Sequence, residues 1–344
     1  EIGRALNARD GAIAPMLRSA VEVRYGRGQP QTIALVHDFV PNVGNGWVYT
    51  LEELGRFFDR ALTRPADEAL PATPTGSLLS FMGAEPPPVV VETMGQYRQI
   101  IAGLGPVVAD MHKVLANHSN DVAFAPEPYS SLDRRSKYQS LRNIAGKVLR
   151  ELREKSSLLD ARGRQEAVAV LALEPELFRR FEPLLTTKLG ALRIRVHGDL
   201  HLGKLLYTGR GFVVLGAGGG DERAISERRR KRSPLRDLAG MARSIEYAAI
   251  KVVLDPTRVR NADFARASQW AFLWSSWANA AFLQSYFLSA GPSPIITPDL
   301  DETTILFDTY VFEHTLGQLQ LELEQPQNAS VLVPLLSLRR ILAP

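Results

Sequence analysis

The spacing of apolar residues changes near residue 95 of this chain. Before it, short strand-like runs at 21–25 and 33–36 flank a Gly- and Pro-containing turn at 26–30, a pattern typical of a β-hairpin. Residues 1–20 place apolar side chains at helical spacing and are predicted to form a short helix. Residues 64–95 are rich in Pro, Ala, Thr and Gly, which indicates a surface insertion or linker.

After residue 95, apolar positions recur every three or four residues over long stretches, as in amphipathic helices. The pattern predicts helices at 96–117, 131–159, 164–184, 233–254, 262–290 and 302–323. The most apolar window, 270–290, contains polar side chains at Ser275, Ser276, Asn279, Gln284 and Ser285, which favours a buried helix over a membrane span. The pattern therefore predicts an α+β architecture whose second part is nearly all helix.

One helix start is predicted between these two regions. Residues 40–47 have the composition of a loop, and Thr50 follows them with Glu53 three residues later. This spacing is that of a capping box, so a helix is expected to begin at Thr50.

The composition of the 344 residues is that of an ordinary globular chain, with 45% hydrophobic and 23% charged residues. There is no cysteine, which excludes disulfides, thiol nucleophiles and cysteine metal sites and suits a cytoplasmic protein. The net charge is +4, and much of the excess lies in the basic run 228–232. Because no aromatic residues interleave with this run, it is interpreted as a solvated segment or an anion site, without a nucleic-acid or membrane partner.

The strongest chemical signal is a polar turn within residues 195–206, just before the strand-like run 211–215. It reads His197-Gly198-Asp199, with His201 two residues further on. Glycine permits a tight turn, and a carboxylate that orients the acceptor hydroxyl is what phosphoryl transfer requires. Asp199 is therefore the candidate carboxylate, and the two histidines are expected to support the loop. The same pattern also fits a hydrogen-bonded polar turn without catalytic function.

This turn and strand resemble the catalytic loop of kinases with the aminoglycoside-phosphotransferase fold. Residues 227–244 are similar to the segment after the metal-binding loop of bacterial maltokinases, and residues 39–51 and 124–128 also match that family. Maltokinases phosphorylate maltose to maltose 1-phosphate with ATP and sometimes occur fused to trehalose synthase. The resemblance covers nearly the whole chain.

The resemblance implies a protein-kinase-like α+β fold, with residues 1–41 as a remnant of the N-terminal lobe. Residues 42–344 would form the helical C-terminal lobe, with a catalytic-loop-like segment at 195–221. It also implies ATP and Mg²⁺ as cofactors, maltose or a related α-glucoside as substrate, and trehalose synthase as a partner. The implied residues are Asp199 as catalytic base, His197, His201 and Asp237 as supports of the loop, and Asp38, Phe39, Val40 and Lys204 as cofactor-binding residues.

The chain departs from the family at its metal ligands. Lys204 stands where the family has a metal-binding glutamine, and Gly216 stands where it has the main Mg²⁺-binding aspartate. An ammonium group has no lone pair, and Mg²⁺ requires oxygen ligands, so no metal ligand is assigned and binding of ATP and Mg²⁺ is expected to be weak. Two compensations are considered: Asp221 could reach a metal from the following loop, or the Lys204 ammonium could replace the cation.

Two functions follow from this comparison. The first is a maltokinase-related enzyme with impaired catalysis, whose activity would need an unusual metal site and upstream residues with the family's phosphate-gripping lysine strand. Gln325–Ala329 stand in place of that family's sugar-binding Arg-Pro-Asp-Trp. The second is a non-catalytic kinase-like domain that partners an α-glucan enzyme such as trehalose synthase. A dinucleotide site is excluded because the spacing of the Gly216–Gly220 run does not fit the fingerprint. His112 lies on an apolar helix and is predicted to be a buried structural residue.

Overall fold

The computed structural model describes residues 1–7, 13–26, 30–117, 121–218 and 224–343. Its helices are α1 Ile2–Leu6, α2 Gly46–Leu62, α3 Pro88–Met94, α4 Tyr97–Ala102, α5 Leu104–Ala116, α6 Ser131–Lys155, α7 Ala161–Ala172, α8 Glu174–Arg179, α9 Pro183–Thr186, α10 Ile225–Arg228, α11 Leu235–Val253, α12 Phe264–Ala290, α13 Leu300–Glu322 and α14 Leu332–Leu342. Its strands are β1 Leu17–Val23, β2 Gln31–His37, β3 Gly44–Asn45, β4 Glu127–Pro128, β5 Leu192–Arg193, β6 Leu205–Tyr207 and β7 Phe212–Val214. Small sheets in a helix-rich body agree with the predicted α+β class.

The predicted hairpin is present, but it begins earlier than the sequence pattern indicated. β1 and β2 pair antiparallel from Leu17↔His37 to Val23↔Gln31. The helix predicted over 1–20 was wrong in its second half, because the side chain of Asn7 hydrogen-bonds both the N–H and the carbonyl of Leu17 at 2.9 Å and holds that residue at the start of β1. Pairing with β2 thus outweighs the helical spacing of these residues.

The start of α2 also differs from the prediction. The side chain of Asn45 accepts a hydrogen bond from the Val48 N–H at 2.9 Å, so the helix begins at Gly46. Thr50, the predicted N-cap, lies inside the helix, where it is buried and hydrogen-bonds the Tyr97 hydroxyl at 2.9 Å. The prediction failed because Asn45 satisfies the first free N–H groups one turn earlier.

The core of the helical body is built around α12, which packs against α5, α11 and α4. Trp270, Trp274, Phe282 and Tyr286 are fully buried along it, which confirms the prediction of a buried helix at this window. No helix in the described part of the chain is long and apolar enough to cross a membrane.

Residues 64–95 are more closely packed than a surface linker. Leu79, Val90 and Met94 are buried in the core, and the Arg266 guanidinium on α12 donates hydrogen bonds to the carbonyls of this segment. The prediction failed here because its Pro and Gly residues delimit short helical turns that pack on α12. The C-terminal helix α14 was not predicted, and the regions 96–117 and 164–184 each contain several shorter helices.

A three-stranded antiparallel sheet, in the order β3-β6-β7, positions the polar turn. β6 pairs with β7 from Leu205↔Val214 to Tyr207↔Phe212, and β3 pairs with the other edge of β6. Gly46 lies at the start of α2, where a Cβ would come within 2.8 Å of the Leu202 carbonyl oxygen. A glycine is therefore required for α2 to approach the loop that contains Asp199.

Candidate functional site

The polar turn, defined here as residues 195–204, is held in shape by hydrogen bonds to one buried carboxylate. Asp237, in the first turn of α11, accepts hydrogen bonds from the N–H of His197 at 2.7 Å and of Gly198 at 2.8 Å. Gly198 has a φ of 83°, a left-handed conformation that favours glycine. The turn therefore has its shape because one acid and one glycine fix two consecutive peptide groups.

Asp237 is itself oriented from two other helices. His112 on α5 donates from Nε2 to Asp237 Oδ2 at 3.1 Å, since a carboxylate can only accept, and its Nδ1 lies 2.8 Å from the Tyr286 hydroxyl of α12. Burial alone would raise the pKa of the Asp237 carboxyl, but the hydrogen bonds from His112 and the loop N–H groups outweigh it and hold that pKa below its usual range. The prediction that His112 is a buried structural residue is confirmed.

His197 connects the polar turn to the end of β7. Its Nε2 donates to the Leu215 carbonyl at 2.8 Å, and its Nδ1 accepts from the Asp199 N–H at 3.2 Å. This arrangement requires a neutral imidazole, and burial lowers the pKa of His197 accordingly. Asp199 is thus positioned through its own backbone by a residue that also fixes the peptide before Gly216.

Three polar side chains converge at the open end of the turn. The Oδ2 atom of Asp199 lies 3.9 Å from Lys204 Nζ and 3.9 Å from His201 Nε2, and all three side chains are partly exposed. The Nδ1 atom of His201 accepts a hydrogen bond from the Gly203 N–H at 3.1 Å, and burial lowers the pKa of this imidazole. Lys204 is therefore the cation that faces the Asp199 carboxylate.

Gly216, two residues beyond the end of β7, faces the same cation. It has a φ of 66°, and a Cβ at this position would lie 3.5 Å from Lys204 Nζ. The Leu215 N–H donates to the Lys204 carbonyl at 2.7 Å, which holds the two segments together. Lys204 Nζ thus lies close both to Asp199 and to Gly216, the position at which the sequence resemblance led us to expect an aspartate.

The described residues of this site do not fit a bound Mg²⁺. Within residues 1–7, 13–26, 30–117, 121–218 and 224–343, no group of three or more His, Asp or Glu side chains could hold a metal ion. Around Lys204, Asp199 supplies a carboxylate but Gly216 has no side chain. The ammonium of Lys204 itself has no lone pair to offer a metal. Asp221, considered as a compensating ligand, lies outside the described residues.

The predicted adenine-binding residues are not brought to the polar turn by side-chain contacts. Asp38 forms a bidentate pair with Arg18, which lowers the pKa of the Asp38 carboxyl, and the side chain of Phe39 is 85% exposed. The segment after Val40 connects to the site through the backbone, where the Val43 N–H donates to the Tyr207 carbonyl at 2.9 Å. The Asp38 N–H donates to the Met16 carbonyl at 2.9 Å and the Val40 carbonyl accepts from the Asn42 side chain at 2.8 Å, and a nucleotide contact of residues 38–40 stays a prediction.

The basic run 228–232 is largely engaged with other parts of the protein, rather than forming the solvated segment that was one of its two interpretations. Arg228 donates to the Gly218 carbonyl at 3.0 Å, and Lys231 is buried with its ammonium 2.8 Å from Glu127. Sequence reasoning also missed the support from Ser244, whose hydroxyl accepts from the Leu202 N–H at 3.1 Å. A serine inside a helix has no pattern that would reveal such a contact.

Comparison with known proteins identifies the fold. No family model matches the chain. A glucosamine kinase in crystal form A matches with a TM-score of 0.70 and 19% identity over 99% of this chain and 66% of that one. A structure of glucosamine kinase with glucosamine, ADP and inorganic phosphate matches with a TM-score of 0.69 and 19% identity, over 98% of this chain and 70% of that one.

These matches show that the chain has the fold of a sugar kinase. They do not single out the maltokinases, which were the family suggested by the sequence. The chain spans about two thirds of the length of the glucosamine kinases, and the division into residues 1–41 and 42–344 stays a prediction.

Proposed function

We propose that the chain is a sugar-kinase-like, maltokinase-related domain that binds the phosphates of a nucleotide through Lys204 in place of Mg²⁺. In this proposal its catalysis is impaired. The observation that carries it is the position of Lys204 Nζ, 3.9 Å from Asp199 Oδ2 and close to Gly216.

The support for phosphate binding comes from charge and exposure. The Lys204 side chain is about one third exposed, so its ammonium can donate to a phosphate oxygen while it faces Asp199. An ammonium acts on phosphate as a point charge with three donors, which suits binding of a terminal phosphate. The neighbouring sugar kinase structure that contains ADP and inorganic phosphate supports a nucleotide as ligand.

The support for impaired transfer comes from the same replacement. A lysine carries one positive charge and sits on a flexible stem, whereas phosphoryl transfer depends on firm positioning and neutralisation of several phosphate oxygens. Asp199 keeps the place of the orienting carboxylate, and His197, His201 and Asp237 keep the loop in shape. Such a site favours binding of a nucleotide over its turnover.

The remaining roles are part of the same proposal. The backbone of Asp38, Phe39 and Val40 would meet the adenine, and residues 1–41 would be a remnant of an N-terminal lobe. By resemblance to the maltokinases, the acceptor would be maltose or a related α-glucoside. An amino sugar is the second acceptor to test, because the structurally similar glucosamine kinase contains glucosamine.

Calorimetric titration of ATP tests the proposal. We expect saturable binding in EDTA that changes less than twofold when Mg²⁺ is added, with no sugar phosphate formed from maltose or glucosamine. Lys204→Gln should weaken binding by roughly tenfold, the effect of losing one charge-assisted hydrogen bond. The control is Lys188→Gln, an exposed lysine between α9 and β5, which should bind like the unchanged protein. Binding that requires Mg²⁺, or that is unaffected by Lys204→Gln, would contradict the proposal.

The second candidate is a non-catalytic scaffold for an α-glucan enzyme such as trehalose synthase. It is favoured by the loss of carboxylates around Asp199 and requires no ligand at Lys204. The same titration separates the two functions, since a scaffold would show no ATP binding in either condition.

A further inference from the structure

A pocket of positive charge, called here the cationic pocket, lies beside β5 where the polar turn begins. It has a volume of about 390 Å³ and a wide opening to solvent. Its positively charged lining consists of Arg193, Arg195, Arg229, Arg230 and Lys231. Two carboxylates, those of Glu1 and Glu127, line it as well. Cations therefore outnumber acids in one concave site.

The backbone brings these cations together across one short strand pairing. Ile194 and Arg232 form an antiparallel bridge in which each N–H donates to the other's carbonyl at 2.8 Å. In such a pairing Arg195 and Lys231 are directly opposed and lie on the same face. Like charges in opposed positions destabilise a strand pair. The opposed Arg195 and Lys231 are therefore unfavourable for the pairing itself, and such locally unfavourable arrangements are common at binding sites.

The two innermost cations are almost fully removed from solvent. Arg195 is 4% exposed and Lys231 is 9% exposed. The Arg195 guanidinium also lies over the Phe124 ring, 5.3 Å from its centre, which helps to fix the plane of its donor groups. Buried cations require a compensating charge.

Each of the two carboxylates that line the pocket is shared between two cations. Glu1 is 3.2 Å from Arg195 and 2.7 Å from Arg229, and Glu127 is 2.8 Å from Lys231 and 3.2 Å from Arg193. Both acids are themselves more than a third exposed. In the described part of the chain, the buried Nε of Arg193 has no hydrogen-bond partner. Asp133, 2.7 Å from Arg193, and Glu227, 3.1 Å from Arg230, also pair with lining cations. Among the described residues, five cations of the lining thus face four acids, which leaves one excess positive charge and the Arg193 Nε donor.

We propose that the cationic pocket binds a phosphate oxyanion, either inorganic phosphate or the phosphate group of a phosphorylated sugar. Arginine forks match the geometry of phosphate oxygens, and several of them converge here around a space larger than one phosphate group. The site is distinct from Lys204 and Asp199, since none of its lining residues belongs to that group. Because Arg195 precedes His197 by two residues, a bound phosphate would connect residues 229–231 to the polar turn.

The test is calorimetry with inorganic phosphate and, separately, glucose 6-phosphate, at constant ionic strength set by sodium chloride. We expect saturable binding of one phosphate group in the cationic pocket of each chain. The double variant Arg229→Gln/Arg230→Gln should fold, because both arginines lie at the rim of the pocket with about half of each side chain exposed. It should weaken phosphate binding by roughly tenfold or more. Arg195→Lys keeps the charge but removes the fork and should weaken binding similarly.

Two control variants distinguish the cationic pocket from surface arginines in general and from the site around Lys204. Arg260→Gln removes an exposed arginine that pairs with Asp263 elsewhere on the surface, and its phosphate binding should be unchanged. Lys204→Gln removes only the phosphate that binds at the nucleotide site, so the binding that the arginine variants weaken should persist in it, which separates this proposal from that for the nucleotide. Absence of saturable binding would overturn the inference. So would weakening by Lys204→Gln but not by the arginine variants, or a signal that chloride alone reproduces.

Discussion

Replacement of the carboxylate below the polar turn tests how the candidate site is held. Asp237 accepts from His197 N at 2.7 Å and from His112 Nε2 at 3.1 Å through Oδ2, and from Gly198 N at 2.8 Å through Oδ1. The variant Asp237→Asn has the same shape but only one acceptor oxygen. Its amide group must therefore face at least one buried N–H donor.

The loss of stability can be estimated from these contacts. If the asparagine oxygen takes the place of Oδ2, the Gly198 N–H meets an NH₂ group, and an unsatisfied buried donor costs about 1–3 kcal/mol. The two remaining hydrogen bonds lose the charge that roughly doubles their strength. We expect Asp237→Asn to lower the free energy of unfolding by roughly 3–5 kcal/mol, comparable to breaking a buried ion pair.

Asp308→Asn is the matched control, because it makes the same change at a largely buried carboxyl with a different environment. Asp308 accepts one hydrogen bond, from the Ser77 hydroxyl at 2.7 Å, and burial raises its pKa to about 6. An amide oxygen can accept that bond equally well, so we expect a change within about 1 kcal/mol.

Chemical denaturation at pH 7 gives the free energies of unfolding, and hydrogen exchange reports on the site itself. In Asp237→Asn the amides of His197 and Gly198 should exchange much faster, while the core of α12 stays protected. If Asp237→Asn costs no more than Asp308→Asn, or if the two loop amides stay protected, the assigned role of Asp237 is wrong.

Two further predictions concern the helical body. Gly105→Ala should lower the free energy of unfolding by about 1–3 kcal/mol, because a Cβ there would come within 2.4 Å of the Tyr286 backbone nitrogen. In Gly317→Ala the Cβ meets no atom within 4 Å, so this variant should stabilise α13 by up to about 1 kcal/mol. Equal effects of the two variants in chemical denaturation would refute the packing argument. Burial lowers the pKa of His314 to about 4, so the unfolded state takes up a proton below about pH 6.5 while the folded state does not. Stability should therefore fall as the pH drops from 6.5 to 4, and in His314→Gln the slope over this range should be less steep; an unchanged slope would contradict the assignment.

The local part of the site could be predicted from sequence because it is carried by consecutive residues. His197, Gly198 and Asp199 form one turn whose glycine and polar side chains stand out against apolar neighbours. The α+β class followed from periodicity for a similar reason, since long amphipathic helices such as α11 and α12 have a strong repeating signal.

The partners of Asp237 could not be predicted, because they come from distant parts of the chain. His112 precedes Asp237 by 125 residues, and no spacing rule connects them. The packing of residues 64–95 on α12 was missed for the same reason. The wrong helix start at Thr50 has a different cause. Asn45 and Thr50 both have side chains that can cap a helix, and Asn45 caps it first, while the Thr50 hydroxyl hydrogen-bonds the Tyr97 hydroxyl instead.

The residues at 204 and 216 together determine the charge at the open end of the polar turn. An aspartate at 216 would begin with its Cβ about 3.5 Å from Lys204 Nζ, close enough for its carboxylate to neutralise the ammonium. A glutamine at 204 would leave the Asp199 carboxylate facing no cation at all in this group. With lysine at 204 and glycine at 216, the ammonium faces the Asp199 carboxylate, and no second carboxylate at 216 competes with a phosphate for it. Under the proposed relation to the maltokinases, the residues at 204 and 216 would therefore not act as independent losses, since each one makes the other compatible with a phosphate-binding site.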